Sequence, residues 1–142
     1  MRLSQCLIFL FLLCFSCEKY YLSVKREAVD RMKLASTFVG SPDPLQKNPP
    51  KGQELILEWR LPEEALQEEL VLVLSVIYKN HTEEKICYPI DRRRGVIIYS
   101  VLGSDYKETD GFLTYKAEIL NGDDNVIKQW KQQLWTDLIV ID

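Results

Sequence analysis

An all-β chain folded as an antiparallel sandwich of about seven strands is predicted by three features of the sequence. Apolar residues recur with period two in several short segments, the spacing of half-buried strands. Clusters of Gly, Pro, Asn and Asp punctuate those segments at short intervals. No long stretch carries the i, i+3, i+4 apolar spacing of an amphipathic helix, so two sheets must cover each other.

In chain order, the first segment belongs to no fold. Arg2 precedes the apolar run Cys6-Leu7-Ile8-Phe9-Leu10-Phe11-Leu12-Leu13-Cys14-Phe15, and a positive start followed by roughly ten apolar residues is the pattern of a secretory signal. A helical bilayer span needs about 20 apolar residues, so the run is predicted to direct export. Residues 1–16 are assigned to it. Residues 17–33 mix Leu22, Val29 and Met32 with Lys19, Lys25, Arg26, Arg31 and Lys33. They are read as a tether that admits a loose helix, and residues 34–142 as the sandwich domain.

Within that domain, Leu34–Val39 is an apolar patch that would supply a first strand. Gly40–Gly52 holds four of the six prolines and must be a loop, because proline neither donates to a ladder nor sits inside a helix. Leu55, Leu57 and Trp59 then alternate with Ile56, Glu58 and Arg60 until Pro62 stops the strand. Glu63–Glu69 admits one helical turn around Leu66. Leu70–Tyr78 is almost wholly apolar and reads as a central strand. After the turn at Asn80–Glu84, Lys85–Ile90 makes a shorter strand whose Pro89 belongs at an edge or an end.

Asp91–Gly95 is a turn, Val96–Leu102 a further strand, and Gly103–Gly111 has loop composition throughout. Phe112–Leu120 alternates Leu113, Tyr115, Ala117 and Ile119 against Phe112, Thr114, Lys116 and Glu118. Asn121–Asn125 signals a hairpin, since Asn and Gly accept positive φ at little cost. Val126–Trp135 returns from it as the last strand, and the chain ends in Leu138-Ile139-Val140-Ile141-Asp142.

Two of these segments carry a resemblance. The stretch Leu55–Pro62 resembles the second strand of fibronectin type III and related immunoglobulin-like domains, with apolar residues alternating up to a buried Trp and a proline following. The stretch Leu113–Ile119 is similar to their sixth strand, with Tyr115, Ala117 and Ile119 on its pattern. The resemblance spans about residues 34–141 and implies an immunoglobulin-like or fibronectin type III-like sandwich. Ala117 stands near the place of a core cysteine in antibody-type domains, so a disulfide-free variant is implied. Trp59 and Tyr115 are expected to pack in the core with satisfied polar tips.

At the end of the apolar run, Ser16-Cys17 followed by Glu18-Lys19 resembles the lipobox of bacterial lipoproteins. That resemblance implies cleavage between Ser16 and Cys17 and acylation of the Cys17 sulfur. Cys14 stands where Leu is usual, and Phe15 is bulkier than the usual small residue. The mature chain would have 126 residues, with 17 basic against 21 acidic side chains. Attachment to a membrane would then come from the acyl chains, two or more of which hold stably where one binds marginally. Of the four cysteines only Cys17 and Cys87 would remain, and these could pair only if Cys17 is not acylated. Cys87, between Ile86 and Tyr88, reads as a small buried hydrophobe.

Composition narrows the function classes. A formal charge of -3 argues against a nucleic-acid binder, which needs a basic face to displace counterions. The single histidine, His81, sits in a turn, so no base is placed beside a nucleophile, and no Gly-x-Ser-x-Gly is present. No Cys/His cluster suggests a metal, and Asn121–Asn125 is only a fragment of a calcium loop. No cofactor is expected, and the chain is read as no enzyme. Asn80-His81-Thr82 matches a glycosylation acceptor, which matters only in a eukaryotic secretory route.

The candidate contacts with an anion or a partner are Arg92-Arg93-Arg94 and the pair Trp130 and Trp135, which a regular strand would place on opposite faces. The expected role is a non-catalytic binding or assembly module of the bacterial envelope, held to a membrane by lipid at Cys17 and meeting a protein partner. The alternatives are a soluble secreted immunoglobulin-like domain and, more remotely, an envelope hydrolase.

Overall fold

The alternating segments become strands whose register follows from which of their residues are apolar. The computed structural model describes residues 19–135. The export signal, the Ser16/Cys17 cleavage site, acylation of Cys17 and the segment Leu138–Ile141 lie outside the described residues. Among the described residues there are seven strands: β1 Tyr21–Val29, β2 Gly52–Arg60, β3 Leu70–Tyr78, β4 Glu83–Ile90, β5 Arg94–Leu102, β6 Phe112–Leu120 and β7 Val126–Lys131. They form two antiparallel sheets, one ordered β1-β2-β5 and the other β4-β3-β6-β7.

The inner faces meet in one core. Leu55, Leu57 and Trp59 of β2 face Leu72, Leu74 and Val76 of β3 and Phe112, Tyr115, Ala117 and Ile119 of β6. Each fully buried Leu or Phe contributes about 1.5–3 kcal/mol relative to leaving it in water. Sequence alternation misplaces Phe112 and Leu113. The β3–β6 register shifts between Ile77 and Tyr78, an extra residue on β6 that turns Phe112 inward to stack on Tyr78. Trp59 is 6% exposed, and its Nε1 donates to the Arg92 carbonyl at 3.0 Å, so its polar tip is satisfied.

Three expectations are corrected. The stretch read as a tether over residues 17–33 holds a strand instead, since Tyr21–Val29 is β1, paired with β2 along its whole length from Tyr21 opposite Arg60 to Val29 opposite Gly52. Leu22 and Val24 are buried, while Arg26 and Ala28 occupy the next positions on that face, which cut the alternation short in the sequence. The sandwich therefore begins at Tyr21, not at residue 34. The patch at Leu34–Val39 is no strand but a short helix, α1, Ala35–Val39, closed by Gly40 at φ 64. Gly103–Gly111 is not a loop throughout, for Gly103–Thr109 is a second helix, α2, ended by Asp110 at φ 59 with its N–H on the Tyr106 carbonyl.

Before α1, a 3-10 turn at Arg31–Lys33 folds back over the sheet. Glu27 and Glu54 lie directly opposite each other in the β1–β2 register, which alone is repulsive. Lys33 bonds both carboxylates, and Lys25 adds to the pairing at Glu27. Those hydrogen bonds, Lys25 first, hold the Glu27 carboxyl down at about 2.

Candidate functional site

The residues nominated by the sequence do not converge on one site. Arg92 to Arg94 occupy the crossing from β4 to β5. Arg92 is exposed beside Asp91 at 3.5 Å, whereas Arg93 is tied to the sheet, with its Nε on the Leu61 carbonyl at 3.3 Å and its own carbonyl accepting from Leu61 N at 2.8 Å. Arg94 is the first residue of β5 and lines a shallow groove of about 280 Å³ with Tyr21, Glu58, Trp59 and Arg60. The run is thus one solvated guanidinium, one structural strut and one groove wall.

The two tryptophans part as well. The last strand stops at Lys131 instead of continuing to Trp135, because Gln132 starts a turn in which Trp135 N bonds the Gln132 carbonyl at 2.9 Å. Trp130 stacks on Tyr115 with centroids 5.5 Å apart and 11° between planes, opposite the small Ala117. It is a core residue at the rim. Trp135 lies on the outer face of the larger sheet, with Lys116 Nζ 5.2 Å from its ring centroid. There it closes a hollow of about 250 Å³ beside Ser75, Ile77 and Lys85.

A cleft that the sequence does not announce sits where β4 and β5 fail to meet. Tyr78 Oη donates to Glu84 Oε2 at 2.5 Å, Tyr99 Oη reaches the same oxygen at 2.7 Å, and the two hydroxyls lie 2.6 Å apart. Two phenolic protons therefore serve three contacts. Above this cluster a space of about 350 Å³ is walled by Asn80, Glu83, Ser100, Asp105, Glu108 and Thr109 among others. Its wall carries four carboxylates and no lysine or arginine, so its field is negative.

Burial first, then the hydrogen bond to Glu84, pushes the Tyr78 hydroxyl far above its usual range. Burial likewise leads in pushing Tyr99 up to about 12. The same hydrogen bonds, Tyr78 first and then Tyr99, hold the Glu84 carboxyl below its ordinary value. At neutral pH the cluster is two neutral phenols and one carboxylate, a brace across the flank. The signal in the sequence was thin. Tyr78 and Tyr99 sit on apolar strands, and only the assembled sandwich aims both at one glutamate.

His81 is exposed in the β3–β4 turn at φ 66. Asn80 Oδ1 accepts from Thr82 N at 3.0 Å and Thr82 Oγ1 at 2.6 Å, and its amide donates to the Glu108 carbonyl at 3.2 Å, which pins the turn to α2. Cys87 is exposed on β4, not buried, because it falls on the outer face of an edge strand. Among the described residues no group of three His, Cys, Asp or Glu side chains could hold a metal ion, and no helix is long and apolar enough to cross a membrane.

The class the geometry defines is a seven-stranded antiparallel sandwich with a braced flank. Beyond that class, the chain matches no protein-family model, no curated protein and no solved structure.

Proposed function

We propose that the protein is a non-catalytic lipoprotein of the bacterial envelope, cleaved between Ser16 and Cys17, acylated at Cys17, and acting as a binding or assembly module. The observation that carries the reading is Cys17 itself, directly after Ser16 at the end of a ten-residue apolar run and directly before charge. The sandwich is read as fibronectin type III-like. In support, the fourth strand joins the sheet of the third, sixth and seventh, not that of the first, second and fifth as in antibody constant-type domains. Only Glu18, Lys19 and Tyr20 separate Cys17 from β1, so the anchored domain would ride within about 14 Å of the lipidated residue.

The test is the intact mass of the mature N-terminal peptide from a bacterial host, wild type against Cys17→Ala. A peptide starting at Cys17 and heavier by acyl chains, absent in the variant, is expected. An unmodified N-terminus overturns the anchor. A second reading, a soluble secreted domain, draws on the exposed Asn80-His81-Thr82 turn. A mobility shift of the natural protein on glycosidase treatment would favour it.

A further inference from the structure

Each sheet of an open sandwich ends in edge strands, and proteins blunt such edges with charge, proline or bulges. Three of the four edges here are blunted. β1 carries Lys25, Arg26 and Glu27, with Arg26 on the inner-face register opposite Leu55, and β1 lies against β7 across that flank. β7 carries Lys128 and Lys131 and a register shift near its start. β4 carries Glu83, Glu84, Lys85 and Pro89.

Past Arg94 at its first position, β5 has none of these devices. From Gly95 to Leu102 it is uncharged and rich in β-branched residues, no strand among the described residues pairs with its second edge, and Val96 and Ile98 on its outer face are 59% and 57% exposed. The charges lie at its two ends and are opposite. Arg92 and Arg94 stand at its start. Glu83, Glu84, Asp105 and Glu108 line the cleft beside Tyr99–Val101, at its finish.

We infer that β5 pairs with the β5 of a second copy of this chain, antiparallel about a two-fold axis at Ile97. In that register Val96 faces the partner's Ile98, and the apolar stripe runs on into Ile56 of each protomer, the outer-face neighbour of Ile98. The basic start of each strand meets the acidic finish of the other, twice, as an isologous interface requires. The product is a continuous six-stranded sheet, β1-β2-β5 joined to its own image, in which both bare edges are consumed. A parallel arrangement would set arginines against arginines. The pairing names a partner for the assembly role above but rests on the fold, not on the anchor. Two copies anchored in one membrane could pair so only with their strands lying along its surface, since the two β1 starts point opposite ways.

The test is the mass of the full chain by sedimentation equilibrium over a concentration series, in detergent with micelles in large excess so that anchored chains need not share one. A reversible dimer is expected, weakened at least ten-fold by Ile98→Lys, an exposed position where the fold tolerates the change. Arg92→Glu alone and Glu108→Lys alone should each weaken it similarly, while an equimolar mixture of those two variants dimerises as wild type does, because every charge pair is then opposite. A monomer at all concentrations, a dimer indifferent to Ile98→Lys, or a mixture no tighter than its components overturns the inference. The peptide mass at Cys17 reports on the anchor separately, so the two readings fail independently.

Discussion

Gly95 is a residue whose identity the fold constrains tightly. A Cβ there would lie 2.2 and 2.4 Å from carbons of the Trp59 ring, and the indole is fixed by its bond to the Arg92 carbonyl. Gly95→Ala should therefore cost about 1–3 kcal/mol, the usual cost of forcing atoms into a packed site, read as a lower urea midpoint at unchanged slope. That Trp59 would be buried was legible from its alternation with Leu55 and Leu57. That Gly95 cradles it was not, because the two meet only across strands. Tyr99 makes a second prediction at this scale. Its hydroxyl is raised to about 12 against an ordinary value near 10, so the native state holds the proton more tightly and stability falls as pH rises from about 10 to about 12. Tyr99→Phe should flatten that alkaline limb in denaturation series at fixed ionic strength.

Among the elements, β1 separates the sequence reading from the structure most sharply. Leu22 is 7% exposed against the core, and Leu22→Ala should cost about 2–4 kcal/mol in chemical denaturation, where a tether residue would cost nothing. The strand was hidden because its inner positions after Val24 are Arg26 and Ala28. A charge at the rim of an edge strand protects the sheet but erases the period that reveals it. α2 was hidden for a different reason. Gly103, Ser104 and Asp105 open it and Asp110-Gly111 close it, all residues of turns, and seven residues hold too few apolar positions to show a helical period. β2, β3 and β6 were legible in outline because each is covered on its inner face from end to end. The nominated arginines and tryptophans were visible as residues, but their separation was not, since it depends on where β7 stops and where β4 crosses to β5.

For the whole molecule, the depressed carboxylates set the acid limit. Glu27, held at about 2 by Lys25 and Lys33, Asp43, lowered by the Ser36 hydroxyl and the Leu45 N–H, and Glu84, lowered by its two phenols, all bind protons less readily folded than unfolded. Their contribution is complete above the ordinary carboxylate range near 4 and is lost as pH falls through the folded values toward 2. The urea midpoint should hold from pH 7 to 5 and drop steeply below 4, and Glu84→Gln should make the drop shallower. The sandwich class was legible because period two persists through its central strands. The order of the sheets was not, because turn residues tell where a chain reverses but not which layer receives it. That order, with β5 completing a sheet begun by β1 and β2, also sets a timetable. A chain delivered from its N-terminus, at a ribosome or a translocation pore, presents β1 and β2 as a bare two-stranded ribbon, marginal in water. Leu22, Val24, Leu55 and Leu57 stay uncovered until β3 follows, and β2 keeps an open side until β5 arrives last to that sheet. Vectorial delivery therefore opens an interval in which that apolar face stays exposed, and slowing delivery between Arg60 and Leu102 would lengthen it.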